Sequence, residues 1–204
     1  MYPSKIKLSN INNLSDARFA AAVGIDYIGF CFDADDASYI PPVKAKEIFE
    51  WTSGINIVSE FGEQRIDEIK DISELLSVDF IELCNTILPD ELATFQIPII
   101  KKIDLDKFDK VSLISEIEAY KKTCYAFHLF SASGKEDFYK DTLKVLCEYN
   151  LVIWGLPLTL TSTKNIIDFY KPFALNISGG NEEKPGIKDF DEMNDWLDNL
   201  RMDD

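Results

Sequence analysis

The chain has a single histidine, no pair of cysteines spaced to grip a metal, and too few basic residues to balance its acids. Lys and Arg number 21 against 36 Asp and Glu, a formal net charge of -15. That balance argues against nucleic acid or an anionic membrane as the main partner, since both need a basic surface. A small phosphorylated metabolite stays open, because a few backbone amides and one lysine suffice for a local anion site. Cys31, Cys84, Cys124 and Cys147 stand far apart with no Cys-x-x-Cys, which leaves a metal site or a disulfide framework without support. No apolar run approaches the ~18 residues of a membrane span, and the first seven residues are polar. No composition break or low-complexity tract divides the chain. The expectation is one domain over residues 1–204 in the reduced cytoplasm, with no cofactor and an oligomeric state left open.

What is present is ample core material, 46% apolar residues, arranged in a repeating beat. Short apolar runs predict strands at Lys5–Ser9, Tyr27–Phe32, Ile55–Ser59, Phe80–Cys84, Ile99–Ile103, Tyr125–Ser131, Leu151–Gly155 and Leu175–Ser178. Helices are predicted between and after them: from Ser15 to Val23, Pro42 to Trp51, Arg65 to Leu76, Leu88 to Phe95, Ser112 to Lys122, Phe138 to Tyr149, Ser162 to Tyr170 and Asp191 to Arg201. Ser15 is the expected cap of the first helix, with Asp16 favourable in its first turn. Near-continuous apolar strands such as Tyr27–Phe32 suit a parallel sheet covered on both faces. Eight strand–helix units in 204 residues, about 25 residues each, predict an α/β fold, a (β/α)₈ TIM barrel.

In that fold ligands bind at the C-terminal ends of the strands, and phosphates often sit beyond the seventh and eighth. Ser178-Gly179-Gly180 follows the eighth strand there, with no Cβ on the two glycines to keep a ligand from the backbone amides. Asn176-Ile177-Ser178-Gly179-Gly180, with Pro185-Gly186-Ile187-Lys188-Asp189 after it, resembles the C-terminal motif of the phosphoribosylanthranilate isomerases of tryptophan biosynthesis. Leu14-Ser15-Asp16-Ala17, Gly24 to Phe30 and Ser133-Gly134-Lys135 resemble further family segments, in order along the whole chain. The resemblance implies a TIM barrel that performs an Amadori rearrangement, opening a ribosylamine ring and moving a proton from C2. That reaction needs a general acid and a general base on opposite sides of the sugar. It also implies phosphate binding by Ser178, Gly179 and Gly180, helped by Gly155 and Gly134, although Leu156 narrows the approach and Pro157 has no N–H to donate.

The chemical positions depart from the family pattern together. Ser9 aligns with the family's basic cysteine, Phe130 with its acidic aspartate, and Ser38 with the arginine that can hold the anthranilate carboxylate. Asn176 aligns with an aspartate of the eighth strand. A serine hydroxyl titrates far above a thiol, and phenylalanine moves no proton. The remaining catalytic candidates are Ser9, His128 and Glu82. His128 shares a face with Phe130 and serves either as a relocated acid–base group or as a buried structural histidine. Glu82, pointing inward from an apolar strand, needs Lys7, Lys102 or His128 as a partner, in a functional site or in a satisfied core network. Lys7 either attracts an anionic ligand or completes such a pair. The acidic segment Asp33-Ala34-Asp35-Asp36 either repels anions at the barrel mouth or is a solvated loop. Three functional readings follow: an isomerase with a diverged, impaired site, a non-catalytic barrel that binds a phosphorylated metabolite or a protein partner, or a different enzyme on the same scaffold. The second tolerates a mouth plugged by Phe130 and Trp154.

Overall fold

A computed structural model describes residues 2–84, 86–178, 182–184, 187–188 and 190–201. Eight parallel strands pair in chain order and close into a barrel: β1 (Lys5–Ser9), β2 (Tyr27–Cys31), β3 (Asn56–Phe61), β4 (Phe80–Leu83), β5 (Ile99–Asp104), β6 (Ala126–Phe130), β7 (Val152–Gly155) and β8 (Ala174–Ser178). Closure comes from β8 lying along β1, with Lys7 opposite Asn176 and Ser9 opposite Ser178. Helices α1 (Leu14–Val23), α2 (Pro42–Phe49), α3 (Ile66–Leu76), α4 (Pro89–Leu92), α5 (Lys110–Tyr120), α6 (Glu136–Tyr149), α7 (Leu160–Tyr170) and α8 (Asp191–Leu200) follow the strands in turn. The (β/α)₈ expectation is met. Two features were not anticipated: a 3-10 turn at Leu105–Lys107 after β5, and an antiparallel pair, β9 (Glu182–Lys184) with β10 (Ile187–Lys188), after β8.

Strand alternation sorts the side chains into two cores. Outward residues such as Ile6, Leu8, Ile28, Phe127, Leu129, Val152 and Leu175 are buried against the helices. Inward, Tyr27, Val58, Ile100, Ala126, Ile153 and Ala174 fill the N-terminal half of the barrel. Phe80, Tyr125 and Phe173 close that end around Tyr27. Burying a side chain such as Val58, Ile100 or Ile153 is worth about 1.5–3 kcal/mol. The C-terminal half of the interior is polar instead, so only that end of the barrel is left for chemistry.

Two expectations are corrected. Trp154 does not plug the mouth. It lies between the inward Ile153 and Gly155, so alternation turns it outward, where its ring packs at a tilt with its centroid 4.6 Å from that of Tyr170. Ser15 does not cap α1. Asn13 does, its Oδ1 accepting the Asp16 N–H at 2.9 Å, because the helix begins at Leu14, before Ser15. Asn13→Ala should therefore lower the unfolding free energy by about 1 kcal/mol. The exposed Ser15→Ala should change it by less than about 0.5 kcal/mol. Urea unfolding of both variants checks the assignment.

Candidate active site

Seven inward side chains of the barrel's C-terminal half form one polar cluster: Glu60, Glu82, Ser9 and Asn176 surround the ammonium of Lys7, and Lys102 and His128 join through Glu82. Lys7, on β1, is completely buried. Its Nζ pairs with Glu60 of β3, lies 3.0 Å from Glu82 Oε2 of β4, and donates to Ser9 Oγ at 2.7 Å and Asn176 Oδ1 at 3.3 Å. Ser9 Oγ in turn is 2.8 Å from both Glu60 Oε1 and Asn176 Oδ1. Its one proton can serve only one of them, and the charged acceptor makes the stronger bond.

On the other side Glu82 Oε1 meets His128 Nδ1 of β6 at 3.0 Å and Lys102 Nζ of β5 at 3.8 Å. Lys7, Lys102 and His128 thus all partner Glu82, as the sequence required of an inward carboxylate. Burial works against the Glu82 anion, but His128, Lys7 and Lys102 outweigh it and hold the carboxyl well below the ordinary range. Burial also pulls His128 below the usual imidazole value, although Glu82 acts against it. The neutral imidazole gives its Nδ1 proton to the carboxylate, leaving a lone pair at Nε2. Among the described residues Nε2 has no hydrogen-bond partner.

Two glycines make room for these groups. A Cβ on Gly29 of β2 would collide with the Glu60 carboxylate, and one on Gly155 of β7 would collide with His128 Nε2. Gly155 also lines a cavity of about 390 Å³ beyond the ends of β7 and β8, together with Ser131, Leu156, Asn176, Ser178 and Trp196. Ser9, Lys7, Glu82 and His128 therefore form one cluster, Gly155 and Ser178 line the adjoining cavity, and Asn176 joins the two. Gly179 and Gly180 lie outside the described residues.

Gly134 belongs to a different arrangement. It supplies the left-handed φ of +69° that turns the loop between β6 and α6. The donors of that loop are taken up by Asp106, which accepts from Ala132 N at 3.0 Å, Ser133 N at 3.1 Å, Ser131 Oγ at 2.8 Å and Ser133 Oγ at 2.6 Å. Those hydroxyls and amides, with Lys135, bring the Asp106 carboxyl down to about 2. In the acidic segment before α2, Ala34, Asp35 and Asp36 are exposed and Asp33 is half-buried against Gly62; Ser38 N donates to Asp36 Oδ1 at 2.8 Å, and Ser38 with Lys102 lowers the Asp36 carboxyl. Among the described residues no helix is long and apolar enough to cross a membrane.

A family model for N-(5'-phosphoribosyl)anthranilate isomerase matches residues 6–199 of this chain. The chain belongs to that family. Among curated relatives, the isomerase of Aquifex aeolicus is 27% identical over 213 residues, covering 95% of this chain and 96% of the relative. That of Chlorobium chlorochromatii is 27% identical over 203 residues, covering 93% of each. The solved isomerase of Thermotoga maritima superposes with a TM-score of 0.81 at 22% identity, covering 97% of this chain and 98% of that one. A related isomerase structure, TM-score 0.78 at 22% identity, holds reduced 1-(o-carboxyphenylamino)-1-deoxyribulose 5-phosphate. At that identity the structures bear on the fold alone.

Within this N-(5'-phosphoribosyl)anthranilate isomerase-family barrel, sequence reasoning missed Glu60. The third strand was ended at Ser59, but it runs on to Phe61. The signal was there: Val58 and Glu60 share the inward parity, while Phe61 continues the outward one.

The site also predicts a pH dependence of stability. The folded-state pKa of His128 lies below its unfolded value of about 6.5. As pH falls through that value the unfolded chain takes up a proton that the folded chain refuses, so stability falls. Glu82, with its folded pKa also depressed, adds a loss in the same direction at lower pH. The urea midpoint should drop between pH 7.5 and 5.5. His128→Asn, which keeps a donor to Glu82 but does not titrate, should flatten that drop.

Proposed function

We propose that this chain is an isomerase of N-(5'-phosphoribosyl)anthranilate, acting in tryptophan biosynthesis in the cytoplasm, with rebuilt and slower proton-transfer machinery. The observation that carries the reading is the buried, unpartnered Nε2 of His128, oriented by Glu82 and packed directly against Gly155, a residue that lines the cavity with Ser178. Family membership supplies the substrate: a phosphorylated ribosylamine bearing a carboxylate. The cavity and the backbone beside Gly155 and Ser178 suit its phosphate. Ser9 and Asn176 offer hydrogen bonds to the sugar hydroxyls, while Lys7, completely buried, holds the cluster together. His128 shuttles a proton at Nε2 on the ring-oxygen side, with Glu82 balancing the imidazolium that forms.

Ser9 and Phe130 stand where the resemblance places the family's cysteine and aspartate, and neither transfers protons readily at neutral pH. Turnover below that of thiol-bearing relatives is the expectation. The competing reading, a barrel that binds a phosphorylated metabolite without converting it, draws on the mutual pairing of Lys7, Glu60 and Glu82.

The deciding measurement is the isomerase assay on the purified protein, following loss of phosphoribosylanthranilate. Slow but saturable turnover is expected, with His128→Asn reducing it by about 10²–10⁴-fold, the usual contribution of a general acid–base group. No turnover above buffer would reject the isomerase and favour the binding barrel. Ser9→Cys alone should not bring turnover to the level of thiol-bearing relatives, because Phe130 and Ser38 leave the family's acid and carboxylate clamp absent.

A further inference from the structure

We propose that Glu60 is the catalytic base of this barrel, taking the place that a thiolate at position 9 would hold. The inference rests on the isomerase reading above. Glu60 leaves β3, crosses β2 over the missing side chain of Gly29, and brings Oε1 to 2.8 Å from Ser9 Oγ on β1. A carboxylate is ionised at neutral pH and accepts protons without activation, which a serine hydroxyl does not. Its side chain is 9% exposed, so it reaches the edge of the site, whereas Lys7 behind it is sealed. Asn176, 2.8 Å from Ser9, continues that edge into the cavity.

The closed order β1 to β8 places β2 across from β6, and β3 across from β7. Glu60 over Gly29 therefore faces His128 over Gly155 from the opposite wall. A ring opening followed by C2 deprotonation needs its acid and base on opposite sides of the sugar.

The proton balance closes. His128, once it has taken a proton from solvent at Nε2, delivers it to the ring oxygen as the C1–O bond breaks and the nitrogen lone pair forms an iminium. Glu60 then removes the C2 proton; the C–H electron pair becomes the C1=C2 bond and the iminium π pair returns to nitrogen. Glu60 gives its proton back at C1 while the C2 hydroxyl becomes the carbonyl, and the hydroxyl proton restores His128. Each protein group ends as it began, and no oxidant or reductant is consumed. The charged or titratable groups around Glu60 are Lys7 on β1, Cys31 on β2, Glu82 on β4 and Lys102 on β5.

The test compares Glu60→Gln and Glu60→Asp with the wild type in the isomerase assay. Glu60→Asp keeps the charge that balances Lys7 and so guards against loss of folding. The expected result for Glu60→Gln is at least a 100-fold loss of kcat, KM within about threefold and loss of the acid limb of the kcat–pH profile. For Glu60→Asp it is a smaller loss with that limb retained. Activity within threefold of wild type in both variants overturns the proposal and leaves the isomerase reading intact.

If the wild type has no turnover, the isomerase reading fails and a thiol decides the fate of Glu60. Thiolate absorbance at 240 nm, with wild type as the blank, gives the pKa of the cysteine in Ser9→Cys with and without Glu60→Gln. A fall of about one unit when the carboxylate is removed supports an ionised proton acceptor at this place. An unchanged value overturns it.

Discussion

An ammonium sealed inside a strand barrel must be matched by negative charge on the spot, and the C-terminal half of this interior is arranged around that requirement. Lys7 is completely buried, and the carboxylates that answer it come from β3 and β4, with Ser9 and Asn176 filling its remaining donor directions. Breaking one partner of such a pair commonly costs 3–5 kcal/mol, because the other charge is left buried alone. The identities of Glu60 and Glu82 are therefore coupled through Lys7. Once both carboxylates are present, Glu82 has its second oxygen left to orient His128, and the Glu60 oxygen that meets Lys7 also accepts from Ser9.

The two glycines belong to the same arrangement. Inward positions of a small barrel are normally filled by bulky side chains. Gly29 and Gly155 leave gaps into which Glu60 and His128 lean from the neighbouring strand. A gap at one wall filled by a carboxylate and a gap at the facing wall filled by an imidazole put proton-accepting groups on both sides of the axis. The apolar plug of Tyr27, Val58, Ile100, Ala126, Ile153 and Ala174 beneath them keeps this polar layer at the ligand end. Function is concentrated where the packing is least apolar.

The architecture was legible because it is written in local pattern: eight apolar runs, eight helical segments and a glycine-rich end after the last strand. The inward direction of Glu82 and His128 followed from strand parity alone, and so did their need for partners. Glu60 was missed because Ser-Glu followed by Phe-Gly-Glu reads as a strand ending, although its parity with Val58 pointed inward. The pairing of Glu60 with Cys31 on one side and Glu82 on the other shows the strand continuing. Trp154 was misdirected for the opposite reason. A large aromatic near a barrel mouth suggests a plug, but its parity opposes that of Gly155 and sends it to Tyr170. The cap of α1 failed at the scale of two residues, the usual error in placing a helix start.

Charge bookkeeping explains how an acidic chain can still serve an anionic substrate. In the polar layer two ammoniums, Lys7 and Lys102, stand against two carboxylates, Glu60 and Glu82, and His128 is held neutral, so 2 − 2 leaves no net charge. Around that layer the whole chain carries -15. A dianionic phosphate is thus not drawn in by the protein's field and must be held by short-range donors. The loop after β6 has given its donors to Asp106, which already sits there as an anion. On the proposed reading the backbone beside Gly155 and Ser178, around the cavity at the ends of β7 and β8, takes that task. Lys102 is the ammonium of the layer with a third of its side chain open to solvent, and it lies over the Phe130 ring at 5.2 Å. Asp36 lies close enough for Lys102 to help lower its carboxyl, so an anionic group at the other end of a substrate would share Lys102 with that carboxylate. Recognition at both ends therefore depends on contact geometry, and affinity should respond to these few donors far more than to salt.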